Sequence, residues 1–233
     1  MSGRLECRLP CGSGVPPPRL IRPHATYAIC RRIERRRFLL RPDAVLNELF
    51  LWVLAVTAAQ FDVDVHIATV LSTHFHLVVT VPNENVSDFM HRLDMRLARA
   101  LQVYRRFVNG VVWEPGKLSI VELETDDAVV EEIAYAMVNP VKAGLVYRAA
   151  DWPGVTATPS DLGVRVFTAS EPSFYFTAER WPGEASIQFT LPAFLRERVR
   201  VRVVRIIRPG EGKRVRVVRI IRPGEGKAGP TRR

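Results

Sequence analysis

His74, Phe75 and His76 stand inside an apolar run, residues 73–80, whose β-branched content suits a buried strand. Alternate side chains of a strand share a face. His74 and His76 therefore point the same way, and Phe75 points into the opposite layer. Two imidazoles so placed can ligate one divalent metal. As ordinary buried residues, each would instead need its own hydrogen-bonding partner.

The rest of the chain supplies the elements around that strand. Residues 25–30 read as a strand, followed by a basic stretch at 31–38. Residues 44–60, rich in Leu and Ala, read as a helix, and 63–70 as a strand joined to the histidine strand by a short connection. Residues 82–85 form a turn. Ser87 then caps an amphipathic helix with its apolar stripe at Phe89, Met90, Leu93, Leu97, Leu101 and Tyr104. Two short strands follow, at 111–113 and 118–123. Thr125 and two aspartates open a further helix, its core face at Val130, Ile133, Ala134 and Met137. This order predicts an α+β sandwich of antiparallel sheet and helices.

On that last helix Tyr135 and Asn139 are four residues apart and share a face, and Tyr135 lies roughly opposite Ile133 and Met137. Two histidines, a tyrosine and an amide make up a metal-assisted nucleophilic site suited to phosphodiesters. Tyr104 is the rival nucleophile, but it falls on an apolar helix stripe, where a core residue belongs. Asn139 also precedes Pro140, which disfavours helix at the residue before it, so Asn139 is expected to end the helix as well. His66 has no partner in the pattern and reads as a structural histidine; His24 and His91 read as surface residues.

With 233 residues, the chain has room for one full core plus an appendage, and 47% apolar content fits a globular protein. Residues 1–18 are rich in Pro, Gly and Arg and lack the apolar stretch of a secretory signal. The most apolar run, residues 49–59, is short of the roughly 20 residues that span a bilayer. Cys7, Cys11 and Cys30, odd in number and irregular in spacing, suggest neither a disulfide framework nor a zinc ribbon. The expected location is cytoplasmic, with no membrane partner.

The net charge of +10 belongs to the tail. Residues 200–233 hold twelve Arg and Lys against two Glu, or 12 − 2 = +10, which leaves 22 basic and 22 acidic residues in 1–199. Residues 200–213 and 214–227 are identical copies of RVRVVRIIRPGEGK. The copies read as a β-ribbon laying arginines on phosphates, as a cationic membrane-active segment, or as a recent duplication of coding DNA. Four parts are expected: a disordered stretch at 1–20, the main domain at 21–157, a β-rich extension at 158–198 and the basic tail at 199–233.

The strand with His74 and His76, the run from Tyr135 through Asn139, Pro140, Lys142 and Gly144, and then Trp152, Pro153 and Gly154 together resemble the single-tyrosine HUH transposases. The likeness is greatest to the REP-associated tyrosine transposases and covers roughly residues 25–155. It implies a ferredoxin-like fold. It also implies cleavage of single-stranded DNA beside a hairpin, with a 5′-phosphotyrosine link and a free 3′-OH. By position, Tyr135 is the implied nucleophile, and His74, His76 and Asn139 the implied ligands of Mg²⁺ or Mn²⁺. The implied partner is REP-like hairpin DNA, the implied state a monomer or homodimer, and the implied setting the nucleoid. In such an enzyme Arg31, Arg32, Arg35, Arg36 and Arg37 are natural phosphate contacts; Lys142 contacts DNA or complements the helix C-terminus.

Two features depart from the family pattern. Ser72 and Thr73 precede the histidines where relatives commonly have Asn, and the segment after Trp113 keeps only Lys117 of an aromatic and basic cluster. Two readings from other classes stand beside the transposase: a non-catalytic hairpin-binding protein of the same fold, and a nucleotide hydrolase of the HIT type. The latter places a third histidine two residues on, where this chain has Val78.

Overall fold

The computed structural model describes residues 21–107, 110–176, 181–196, 200–206 and 215–221. The disorder expected at residues 1–20 lies outside the described residues. The main domain runs β1 (Ala25–Ile33), α1 (Ala44–Phe61), β2 (Asp64–Leu71), β3 (His74–Val81), α2 (Val86–Tyr104), β4 (Trp113–Glu122) and α3 (Asp126–Lys142). Its four strands form one sheet in the order β2-β3-β1-β4, every neighbouring pair antiparallel. Two split β-α-β units interleaved in this way are the ferredoxin-like arrangement.

The pleat sorts β3 as expected. Phe75 is fully buried and meets Phe50 of α1 and Trp113 of β4 edge-on, at 5.3 and 5.7 Å between ring centroids. Burying such a ring contributes about 2 kcal/mol. His74 and His76 face the opposite layer, where α3 packs.

α1 starts where Asp43 accepts a hydrogen bond from the Leu46 amide and stops at Asp62, which adopts the left-handed conformation. At 18 residues it is longer than the apolar run read from sequence, and by length and composition it could cross a membrane. Here its flanks are covered by protein. Trp52 donates its indole N–H to the Pro182 carbonyl and packs on Phe176 and Trp181.

The extension provides that cover. β5 (Val166–Ser170) and β6 (Glu184–Gln188) pair antiparallel and pack against α1. Residues 173–175 form a turn, and Phe176 just after it joins the tryptophan cluster. A short helix, α4 (Ala193–Arg196), follows.

β4 is one strand of ten residues rather than two short ones. It runs through Pro115 and Gly116, the latter at φ 68°, because an edge strand tolerates a missing N–H. The N-cap of α2 is Asn85 rather than Ser87, and the Asn85 side chain donates to the Phe61 carbonyl. The core side of α3 also differs in detail: Val129, Ile133, Ala136 and Met137 are buried, while Val130 and Ala134 are half-buried.

Trp152, Pro153 and Gly154 close the outer edge of the sheet. The Trp152 indole donates to the Val70 carbonyl at 2.9 Å, and the Val70 amide donates to the Val155 carbonyl at 2.9 Å. Asn47 of α1 donates to the Pro153 carbonyl. In the tail, β7 (Arg200–Ile206) and β8 (Val215–Ile221) pair antiparallel, with Arg202 opposite Arg219 and Arg205 opposite Arg216 in the register.

Candidate active site

α3 crosses the sheet face that α1 and α2 leave open. Thr125 caps its N-terminus by accepting from the Ala128 amide. The helix does not end at Asn139: it continues through Pro140 to Lys142, and the Ala143 amide donates to the Asn139 carbonyl at 2.9 Å. The extra turn puts Lys142 on the same stripe as Glu132, Tyr135 and Asn139.

Four of the expected site residues meet there. The rings of His74 and His76 lie 5.0 Å apart, and the Tyr135 ring meets His76 edge-on at 5.7 Å. The Asn139 amide nitrogen is 3.1 Å from His76 Nε2, within hydrogen-bond distance. His76 and Asn139 are buried, Tyr135 half-buried. The Thr73 hydroxyl lies 3.0 Å from His74 Nδ1 and orients that ring.

Burial, and then the charges of Arg32 and Arg36, push the His74 pKa down to about 4. Burial, His74 and Arg32 push His76 down to about 3. Both rings are therefore neutral at physiological pH, the form that binds a metal. The donor set of two imidazoles and an amide has no carboxylate, and among the described residues no three His, Cys, Asp or Glu gather to hold a metal. Such a set fits an ion that takes its remaining ligands from phosphate and water, as Mg²⁺ and Mn²⁺ do. An amide turned end for end offers its carbonyl oxygen in place of its nitrogen.

The arginines divide between the two faces of the sheet. β1 extends to Ile33, so Arg31 and Arg32 point to opposite sides. Arg32 is the register partner of His74. Arg31 lies on the α2 side, where its Nε donates to Asp94 at 2.7 Å, its Nη1 donates to the Glu114 carbonyl and its guanidinium covers Trp113. It is thus committed to the core side and is not brought to the site.

Arg35 and Arg36 are successive left-handed residues, at φ 52° and 53°. Such backbone costs roughly 1–2 kcal/mol per residue away from glycine. This turn brings the Arg36 charge to bear on His74. Arg35 is well exposed beside Glu34, and Arg37 covers Phe107. Lys142 sits with its Nζ 4.2 Å from the centroid of the Tyr135 ring.

Other expectations resolve as structural. Nδ1 of His66 lies 2.8 Å from the Thr190 carbonyl oxygen and Nε2 lies 2.7 Å from the Thr80 hydroxyl, which ties the extension to β2. Tyr104 donates to Asp43, the N-cap of α1. Sequence reasoning missed Glu132, whose field acts on Lys142, and Cys30, the register partner of His76. Helical spacing from Tyr135 would have found the first; the second needed the strand pairing.

No family model matches the chain, and no curated protein matches it. Among solved structures, a REP-associated tyrosine transposase bound to a REP hairpin is similar at 18% identity and a TM-score of 0.52, covering 61% of this chain and 82% of that one. A protein from Deinococcus radiodurans R1, named as a candidate transposase, is similar at 16% identity and a TM-score of 0.36, covering 52% and 89%. At these identities the likeness speaks to the fold alone. On that ground, and with the strand order and the crossing helix described above, the chain has the fold of a REP-associated tyrosine transposase.

Proposed function

We propose that the protein is a metal-dependent, single-tyrosine endonuclease and strand transferase acting on single-stranded DNA beside a hairpin. The observation that carries this reading is the convergence of His74, His76, Tyr135 and Asn139 on one face of the sheet, from β3 and α3. The fold shared with a hairpin-bound transposase supports the choice of substrate.

In this reading Tyr135 Oη attacks the scissile phosphorus. Tyr135 Oη gives up its proton to water as the Tyr–O–P bond forms, the P–O3′ bond breaks, and the leaving oxygen takes a proton from water as a 3′-OH. The phosphodiester energy is kept in the 5′-phosphotyrosine link, so a later 3′-OH can reverse the step and join a new strand. His74, His76 and Asn139 would hold Mg²⁺ or Mn²⁺, which supplies charge neutralisation at the phosphate. Arg32 and Arg36, whose charges act on the histidine pair, attract the strand's phosphates to the site.

The test is a denaturing gel of the protein with labelled hairpin DNA and Mn²⁺. The expected result is a metal-dependent covalent adduct that is absent in both Tyr135→Phe and His74→Ala. Hairpin binding with no adduct from wild type, across a panel of hairpins, would instead support a non-catalytic hairpin-binding protein of the same fold.

A further inference from the structure

Lys142 was expected to contact DNA or to complement the helix end. Its position favours a different task. Its Nζ lies 4.2 Å from the Tyr135 ring centroid, over the ring face, although the residue as a whole is exposed. Tyr135 meets His76 edge-on, so the ring is bounded by the ammonium and by an imidazole. Glu132, one turn before Tyr135, acts electrostatically on Lys142 from the other end of the stripe. Partial desolvation lowers the Lys142 pKa and raises that of Glu132, each against the pull of the other's charge. The helix reaches Lys142 only because it runs on through Pro140.

We propose that Lys142 is a positioning residue for the nucleophile: its ammonium holds the Tyr135 ring against His76 before DNA arrives. The inference rests on the strand-transferase reading above and deepens it. A cation over a ring face is attracted by the ring's quadrupole, most strongly where water is partly excluded. A tyrosine held in its attacking orientation loses less freedom on reaching the transition state. The effect therefore falls on the rate of attack rather than on hairpin affinity.

Single-turnover adduct formation separates the two roles. Wild type, Lys142→Met and Lys142→Arg are titrated with labelled hairpin in Mn²⁺. Lys142→Met, which keeps the stem and loses the charge, is expected to lower the maximal rate by roughly 3- to 30-fold. Half-saturation should stay within about twofold, and Lys142→Arg should recover most of the rate. A loss of affinity with an unchanged maximal rate would make Lys142 a phosphate contact and overturn the proposal, as would no change in either.

A second readout needs no activity. The ring-carbon signals of ¹³C-labelled Tyr135, assigned with Tyr135→Phe, should move in Lys142→Met without DNA or metal. Unmoved signals overturn the proposal. Moved signals alongside a wild type that forms no adduct would retain the ring contact and reject the strand-transferase reading instead.

Discussion

His74 and His76 take up protons more readily once the chain unfolds, because in the fold they are held down to about 4 and about 3. Between the ordinary value of 6.5 and those values the unfolded chain binds more protons, so this pair removes stability as the pH falls. Asp94 acts in the opposite sense. Burial raises it from 3.8 to about 6 against the pull of Arg31, and its Oδ1 is buried without a hydrogen bond. The folded chain is then the better proton binder between 6 and 3.8, so Asp94 adds stability as the pH falls through that window. Asp94→Asn loses this offset. Its melting temperature should fall more steeply than that of wild type between pH 6 and 4, and parallel curves from calorimetry would contradict the assignment.

Gly154 shows how an element outside the site fixes the sheet that carries it. A Cβ there would stand 2.4 Å from the Trp152 indole nitrogen and 2.9 Å from the Val70 carbonyl oxygen, across the hydrogen bond that seals β2. Gly154→Ala should destabilise the protein by about 1–3 kcal/mol in urea unfolding. A neutral outcome would mean that the clasp yields at no cost. The same scale explains what the sequence disclosed. Alternation along β3 is strictly local, so it placed His74, Phe75 and His76 on their correct faces. Helical spacing did the same for Tyr135 and Asn139. Two of the differences arose where a breaker residue was tolerated. Pro140 sits inside α3, and Pro115 with Gly116 sits inside β4, because tertiary packing outweighs the local penalty. Stopping β1 at Cys30 likewise hid the sorting of Arg31 from Arg32, since only a strand continued to Ile33 divides them. Glu132 lay within reach of helical spacing from Tyr135, whereas Cys30 became visible only once β1 had been set against β3.

For the whole molecule, the excess charge lies apart in sequence from the candidate site. Residues 1–199 carry equal numbers of acidic and basic residues, and the excess of +10 lies in residues 200–233. A chain ending at residue 199 should keep hairpin selectivity while losing much of its affinity for unrelated single strands. The slope of log affinity against log salt should become shallower by about 0.7 for each phosphate contact removed. An unchanged slope by fluorescence anisotropy would show that the tail does not engage nucleic acid. The tail's pairing has one more property. Counted within the fourteen-residue repeat, the third residue of one copy faces the sixth of the other, and the fourth faces the fifth. That pattern is its own image under a two-fold rotation. A strand of one molecule can therefore meet the same strand of another in an identical register, so partner exchange carries no mismatch. Whether the ribbon closes on itself or links neighbours is then set by local concentration, which favours closure in dilute solution and linkage where molecules crowd along a shared polymer.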